Sequence, residues 1–203
     1  VSEILPGVHY LPGRFDEAAQ RALLVAVEAV IAAAPLFTSR MPRSGAPFSV
    51  RMTNAGRLGW LSDEAGYRYE PAHPVTGAPW PPIPAPLLAL WREVGAPGEP
   101  EACLVNHYAA GTRMGLHQDR DEAAFEAPVV SVSLGATAVF RLGGTTRSAP
   151  TRSIRLASGD VVVFGGPARL MFHGVDRILA GSSRLLGGGG RINLTLRRVT
   201  PLD

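Results

Sequence analysis

The sequence predicts a mainly β protein with flanking helices, and three observations lead there. After Pro100 the chain breaks into short runs rich in Val, Ile, Leu and Phe, each bounded by glycine, proline or polar turns. No helical period lies between those runs, which argues for a sandwich or jelly roll. The helical spacings sit earlier in the chain, so the helices flank the strands rather than alternate with them. Apolar residues make up 46% of 203 positions and charged residues 18%, the balance of one domain with a full core.

Residues 1–14 read as a strand and turn, punctuated by Pro6-Gly7 and Pro12-Gly13. Asp16 is placed to cap a helix over residues 17–34, closed by Pro35, whose leucines and valines should cover one face of a sheet. Extended pieces over residues 48–54, 58–60 and 67–69, linked by Gly56 and Gly66, suggest a hairpin-rich flap. Residues 71–86 carry seven prolines and must be loop. A second helix is expected over residues 86–95, with proline at its start and glycine past its end. Strands are then expected over residues 102–108, 129–134, 138–142, 160–164, 170–173 and 191–199. Residues 181–190, with five glycines, read as a mobile hairpin tip and not as a phosphate cradle, because no helix follows. The chain divides, within one domain, into an N-terminal helical and flap extension (1–100) and a β core (101–203).

All 20 basic residues are arginine. A GC-rich genome suffices to explain that, yet arginine grips phosphates and carboxylates in a fork that lysine cannot match. The net charge of +3 and pI of about 9.6 permit an anionic partner such as nucleic acid without requiring one. Cys103 is the only cysteine, which leaves no intrachain disulfide, and its apolar neighbours mark it as a core residue rather than a nucleophile. No apolar run approaches the ~20 residues of a membrane span. The start carries no signal-peptide pattern, so the cytoplasm is the expected compartment and no membrane is expected as partner. His9 and His73 are expected at the surface.

Chemistry concentrates at His117-Gln118-Asp119, whose histidine and carboxylate share a face if the backbone is extended. His173, in Met171-Phe172-His173-Gly174, is the best third ligand. Two histidines and one carboxylate leave coordination positions open, the facial triad of non-haem Fe(II) oxygenases. Near the C-terminus Arg191-Ile192-Asn193-Leu194-Thr195-Leu196-Arg197 alternates strictly. On a strand its apolar members face the core, while two arginines and an asparagine form a dicarboxylate receptor on the other side.

These segments, with Met52-Thr53-Asn54, Leu58-Gly59-Trp60, Gly66-Tyr67, Asn106-His107-Tyr108, Ser131-Val132-Ser133-Leu134-Gly135 and Gly159-Asp160-Val161-Val162-Val163, resemble in order the AlkB family. That family comprises Fe(II)/2-oxoglutarate-dependent dioxygenases that repair alkylated nucleic-acid bases. The resemblance runs from about residue 48 to 197; the residues before Phe48 match only in outline. It implies a double-stranded β-helix (jelly-roll) core, Fe(II) held by His117, Asp119 and His173, and 2-oxoglutarate and O2 as cosubstrates. It implies that Arg191 binds the distal 2-oxoglutarate carboxylate with Asn106 and Tyr108. Arg197 would lie near the carboxylate at the metal end, and Asn193 and Ser131 would complete that pocket. A flipped base would sit between Trp60 and His117, with Met52 and Tyr67 lining the flap. Asp121 would contact the base, and Arg120 and Arg147 would face the base or the phosphate backbone.

The implied partner is alkylated DNA, with RNA open as a second target, and the implied working unit is a monomer. The implied reaction removes the alkyl group of 1-methyladenine or 3-methylcytosine as an aldehyde, a direct-reversal repair. Arg120 stands where the family commonly has lysine. His107 stands where arginine is frequent, and it should alternate outward. Three rivals remain: a same-fold dioxygenase acting on a protein or small molecule, a catalytically silent nucleic-acid binder, and a cupin-like metal protein with another reaction.

Overall fold

The computed structural model describes residues 2–202. In chain order the N-terminal elements are β1 (Ser2–Leu5), β2 (Val8–Leu11), α1 (Glu17–Ala33), β3 (Arg51–Gly56), β4 (Gly59–Asp63), β5 (Gly66–Glu70) and α2 (Ala85–Glu93). Then follow β6 (Ala102–Tyr108), β7 (Met114–His117), β8 (Val129–Gly135), β9 (Ala138–Leu142), β10 (Arg152–Leu156), β11 (Val161–Phe164), β12 (His173–Ile178) and β13 (Arg191–Arg197).

The alternation along β8 and β13, which pair antiparallel, decides the architecture. Val130, Val132, Leu134, Ile192, Leu194 and Leu196 join one core cluster, whereas Ser131, Arg191, Asn193, Thr195 and Arg197 line a cavity on the opposite face. Their sheet runs β1-β2-β11-β8-β13-β6-β3. On its apolar face lie Leu23, Val27 and Val30 of α1 and Leu87, Leu90 and Trp91 of α2. Each fully buried side chain of this size stabilises the fold by roughly 1.5–3 kcal/mol. Asp16 starts α1 by accepting the Ala19 amide at 2.8 Å, which satisfies one of the otherwise orphaned amides of the first turn.

A second, four-stranded sheet, β10-β9-β12-β7, faces the cavity side of the first. Phe140, Leu142, Leu156 and Val175 from this sheet meet Val129, Val162 and Phe164 from the larger one, closing one end of the jelly roll. The other end stays open, and the β4–β5 hairpin stands beside it.

Several expectations need correction. The chain before residue 100 does not stand outside the main sheet: β1 and β2 form one edge of it and β3 the other. The extended piece expected from residue 48 starts at Arg51 and belongs to that sheet, which leaves only β4 and β5 as the flap. The strand expected over residues 170–173 begins at His173 and runs to Ile178. Gly174 hid it: a Cβ there would lie 2.7 Å from the Met114 carbonyl, so a close approach of β7 requires glycine where a strand former was sought. β7 and β10, the edges of the smaller sheet, were not foreseen. His73 is buried, not exposed; it packs against Phe37 and Trp80 and bonds the Pro35 carbonyl through Nε2 at 2.7 Å. His9 is half-buried on β2.

Cys103 lies fully buried on β6, and burial pushes its thiol up to about 12. We expect iodoacetamide to leave it untouched in the native protein at neutral pH and to label it on unfolding. Labelling of the native protein at the unfolded rate would contradict its placement in the core.

Candidate active site

β7 and β12 are register partners, and the pairing sets His117 directly across from His173. Their ring centroids stand 4.5 Å apart. Each Nδ1 sits against a carbonyl that can only accept, Gly115 at 2.9 Å and Met171 at 3.0 Å. Each Nδ1 therefore carries the proton, and each Nε2 turns its lone pair towards the centre. Asp119 lies just beyond β7, with Oδ1 at 3.7 Å from His117 Nε2 and Oδ2 at 3.8 Å from His173 Nε2. One ligand atom from each of the three residues lies within 4.8 Å of the others, a set able to hold one metal ion. Gln118, between them, turns away and donates to the Leu170 carbonyl at 2.6 Å.

Burial and the neighbouring His117 push His173 down to about 4, so its imidazole is neutral at physiological pH. Burial pushes the Asp119 carboxyl up, but the Arg197 guanidinium beside it outweighs burial and holds the group well below the usual range. Phe164 stacks on the His173 ring at 5.0 Å and fixes its plane.

Arg197 Nη2 donates to Asp119 Oδ2 at 2.9 Å, and its Nε reaches Asp119 at 3.2 Å and Glu122 at 3.4 Å. Glu122 in turn pairs with Arg169 at 3.1 Å and accepts the Tyr69 hydroxyl from β5. Arg169 also donates to the Asp119 carbonyl at 2.6 Å and the Ala127 carbonyl at 2.9 Å. Two carboxylates and two guanidiniums thus neutralise one another beneath the metal-ligand set, and one of the bonds leads to the flap. Glu122, Arg169 and Tyr69 were missed by sequence reasoning as site residues, although Glu122 ends the acidic run after His117 and Arg169 precedes His173 by four positions.

Further along the cavity Arg191 is 1% exposed. Its Nη2 donates to Ser133 Oγ at 2.7 Å and its Nη1 to the Leu156 carbonyl at 3.2 Å. Among the described residues no carboxylate pairs with it, and burial pushes it down to about 10, still cationic at neutral pH. Ser133 was a further omission; it shares a strand face with Ser131, two residues earlier, which was a readable signal. Asn193 donates to Ser131 Oγ at 2.8 Å. Asn106 and Tyr108, on β6, line the same cavity. Burial pushes the Tyr108 hydroxyl up to about 12, so it remains a neutral donor.

At the mouth Trp60 donates its indole N–H to Asp121 Oδ2 at 2.8 Å. Tyr67 stacks on the indole at 5.7 Å and Phe48 meets it edge-on at 6.2 Å. Met52, Arg120 and Arg147 line the same cavity of about 810 Å³, and the Arg147 guanidinium lies 5.0 Å above the Phe172 ring. All the site residues expected from the sequence therefore border one cavity. Met41 and Pro47 from the loop before β3 also line it, in a stretch where the sequence offered no pattern, as does Phe48 at the start of the expected extended piece.

Replacing Arg169 by alanine would leave Glu122 with one guanidinium fewer and strip the Asp119 carbonyl of its donor. Breaking a buried pair of this kind costs ~3–5 kcal/mol, so Arg169→Ala should lower the midpoint of urea unfolding markedly. A loss below ~1 kcal/mol, the range of exposed pairs, would show that the pair is not buried in solution.

The sequence profile of the 2OG-Fe(II) oxygenase superfamily matches residues 7–197. The chain is 60% identical over 196 residues to an alpha-ketoglutarate-dependent dioxygenase AlkB homolog of Caulobacter vibrioides, covering 96% of this chain and 89% of that protein. It is 42% identical over 190 residues to the alpha-ketoglutarate-dependent dioxygenase AlkB of Salmonella typhimurium, covering 91% and 87%. The solved structure of OsALKBH1 superposes with a TM-score of 0.83 at 29% identity, covering 97% of this chain and 100% of that one. With its jelly roll, its His-Asp-His set and its buried arginines, the chain belongs to the 2OG-Fe(II) oxygenase superfamily as an AlkB-type dioxygenase that uses Fe(II), 2-oxoglutarate and O2.

Proposed function

We propose that this dioxygenase removes alkyl groups from nucleic-acid bases, repairing 1-methyladenine and 3-methylcytosine directly in DNA, with RNA as a second substrate. The observation that carries the reading is that one cavity joins three unlike features: the His117, Asp119 and His173 set, a buried Arg191 without a counter-ion, and the Trp60–Asp121 pair at its mouth. Fe(II), with 2-oxoglutarate and O2, supplies the oxidant that hydroxylates the N-alkyl carbon, after which the hemiaminal on the base collapses to an aldehyde and the intact base.

The residues present suit that cosubstrate. Arg191 Nε, Arg197 Nη1 and Asn106 Oδ1 are buried polar atoms with no partner among the described residues, and all three residues line the same cavity. Leaving such an atom unsatisfied costs ~1–3 kcal/mol, which a polar ligand would recover. Two of the three are guanidinium donors, matched to a dicarboxylate; turning the Asn106 carboxamide over makes the third a donor as well. Arg191 would hold the far carboxylate beside Asn106 and Tyr108, with Asn193 and Ser131 closing that wall. Arg197 would orient Asp119 and face the carboxylate at the metal end. His117, Asp119 and His173 would hold Fe(II).

For the base, Trp60, stacked on Tyr67, would offer an aromatic face and His117 the opposite one. Asp121 orients the indole through Oδ2, and its Oδ1 has no partner among the described residues, so it can accept from an exocyclic amine. Met52 would floor the flap, and Arg120 and Arg147 would meet base or phosphate. In this reading residues 1–100 mainly recognise the base and residues 101–203 carry the chemistry. Every group invoked comes from one chain, which supports a monomer as the working unit.

Arg191→Ala should raise the 2-oxoglutarate concentration needed for half-maximal turnover by two orders of magnitude or more, because losing a buried charge-assisted pair costs ~3–5 kcal/mol. Affinity for an oligonucleotide should barely change, and an unaltered cosubstrate requirement would contradict the assignment. Bases methylated on a Watson–Crick nitrogen cannot pair, so they flip out at lower cost. They are also cationic, and the Trp60 face adds ~0.5–2 kcal/mol for a cation. Oligonucleotides with 3-methylcytosine should therefore react faster than those with neutral 1-methylguanine, and Asp121→Ala should narrow the gap. Equal rates, or equal sensitivity of both lesions to Asp121→Ala, would exclude the role of charge.

A further inference from the structure

Residues 127–159 contain four arginines, Arg141, Arg147, Arg152 and Arg155, and no carboxylate. The stretch folds as β8, β9 and β10, and the four arginines fall on one hairpin. Arg147 sits on the connection between β9 and β10 and lines the mouth of the cavity. The other three follow the two strands away from that mouth. Register places them: His117, His173, Leu142 and Arg152 form one row across all four strands of the smaller sheet. At ~4.8 Å per strand, Arg152 stands about 14 Å from the His117 backbone, on the sheet edge.

The inner face of this sheet is occupied by Ala138, Phe140, Leu142 and Leu156, all buried. Side chains of the opposite parity point to solvent. Arg141 pairs in register with Ser153, and Val139 pairs with both Arg155 on one side and Arg177 on the other. Arg141, Arg155 and Arg177 therefore share the solvent face. The guanidinium-bearing positions 155 and 177 are two strand spacings, about 10 Å, apart. Arg155 and Arg177 are exposed, Arg141 half-exposed. The nearest acid on these strands is Asp176, in an exposed pair with Arg177 at 2.9 Å, and Arg141 spends one donor on the Thr151 hydroxyl at 2.9 Å. Arg155 has no ion-pair partner among the described residues.

This face has no role in holding metal, cosubstrate or base. We propose that it is a second nucleic-acid contact: the strand whose alkylated base enters the pocket runs on past Arg147 and lays its phosphates on Arg141, Arg155 and Arg177. The proposal rests on the nucleic-acid reading of the cavity. The occupant follows from sign and continuity, since the track sets Arg141, Arg147, Arg155 and Arg177 against the single carboxylate of Asp176, begins at the cavity mouth, and bears guanidiniums whose forked geometry suits phosphate oxygens. Solvent-exposed contacts of this kind bind without reading sequence, and they weaken steeply with salt.

The test compares wild type with the triple variant Arg141→Gln, Arg155→Gln, Arg177→Gln, on a 3-methylcytosine trinucleotide and on a long single-stranded oligonucleotide carrying the same lesion. Turnover on the trinucleotide, which fills the pocket alone, should stay within about twofold of wild type. Affinity for the long strand should fall at least tenfold at low salt. The slope of log affinity against log salt should shrink by about 2, since each single-strand phosphate contact contributes ~0.7. An unchanged slope on the long strand would overturn the proposal, as would an equal loss on both substrates, which would place the effect in the pocket. Affinity is measured without turnover. Failure of demethylation on both substrates would thus refute the reading of the pocket, while the slope still decides the surface.

Discussion

A guanidinium buried to 1% exposure, with no carboxylate paired to it among the described residues, is the constraint on which this structure turns. Removing a lone charge from water is costly unless something of opposite charge arrives. Here the chain spends the Ser133 hydroxyl and two carbonyls on Arg191 and leaves its buried Nε without a partner among the described residues. The strand that carries Arg191 also carries Asn193, Thr195 and Arg197 on the same face, so one alternation sets out the cosubstrate wall from its far end to the metal. The helices are there to cover the other face of that strand: without Leu23, Val27, Leu90 and Trp91 against it, Leu194 and Leu196 would lie in water and the register would lose its anchor.

Arg197 is treated in the opposite way. Asp119 and Glu122 neutralise its charge, leaving only its Nη1 without a partner among the described residues, and Arg169 completes a cluster of balanced charge beneath the three candidate ligands. Such a cluster adds little net stability over apolar packing, but it locks the Asp119 carboxylate in one orientation. The Tyr69 hydroxyl extends the lock to the β4–β5 hairpin, so the element that frames the substrate mouth and the element that offers the carboxylate are held through the same Glu122. The two arginines of one strand thus divide the work: one is left in need of an anion, the other is held by the protein itself.

Much of this was legible in the sequence because strand alternation has a period of two and survives local irregularity. The face of β13 and the His117-x-Asp119 pair were readable for that reason, and the helix after Asp16 from its cap and the closing Pro35. What escaped depended on long-range register. β7 and β10 are edge strands with one solvated face, too short and too polar to stand out, and their pairing brings His117 to His173 and Arg152 into the same row. Gly174 reads as a strand breaker until the Met114 carbonyl is seen against it. His73 looked like a surface histidine in a proline-rich loop; only the fold shows Phe37, Trp80 and the Pro35 carbonyl closing round it. Glu122 and Arg169 looked like ordinary charged residues because nothing local announces that each is the other's partner across 47 positions.

One cavity couples the breakdown of 2-oxoglutarate to the release of an alkyl group from a base. Stoichiometry tests it most directly: succinate and formaldehyde measured together, with Fe(II), on an oligonucleotide bearing 3-methylcytosine and on its unmethylated counterpart. One formaldehyde is expected for each succinate on the methylated strand, and slow succinate release without formaldehyde on the other. Succinate released at the same rate on both strands, with no formaldehyde from either, would contradict it.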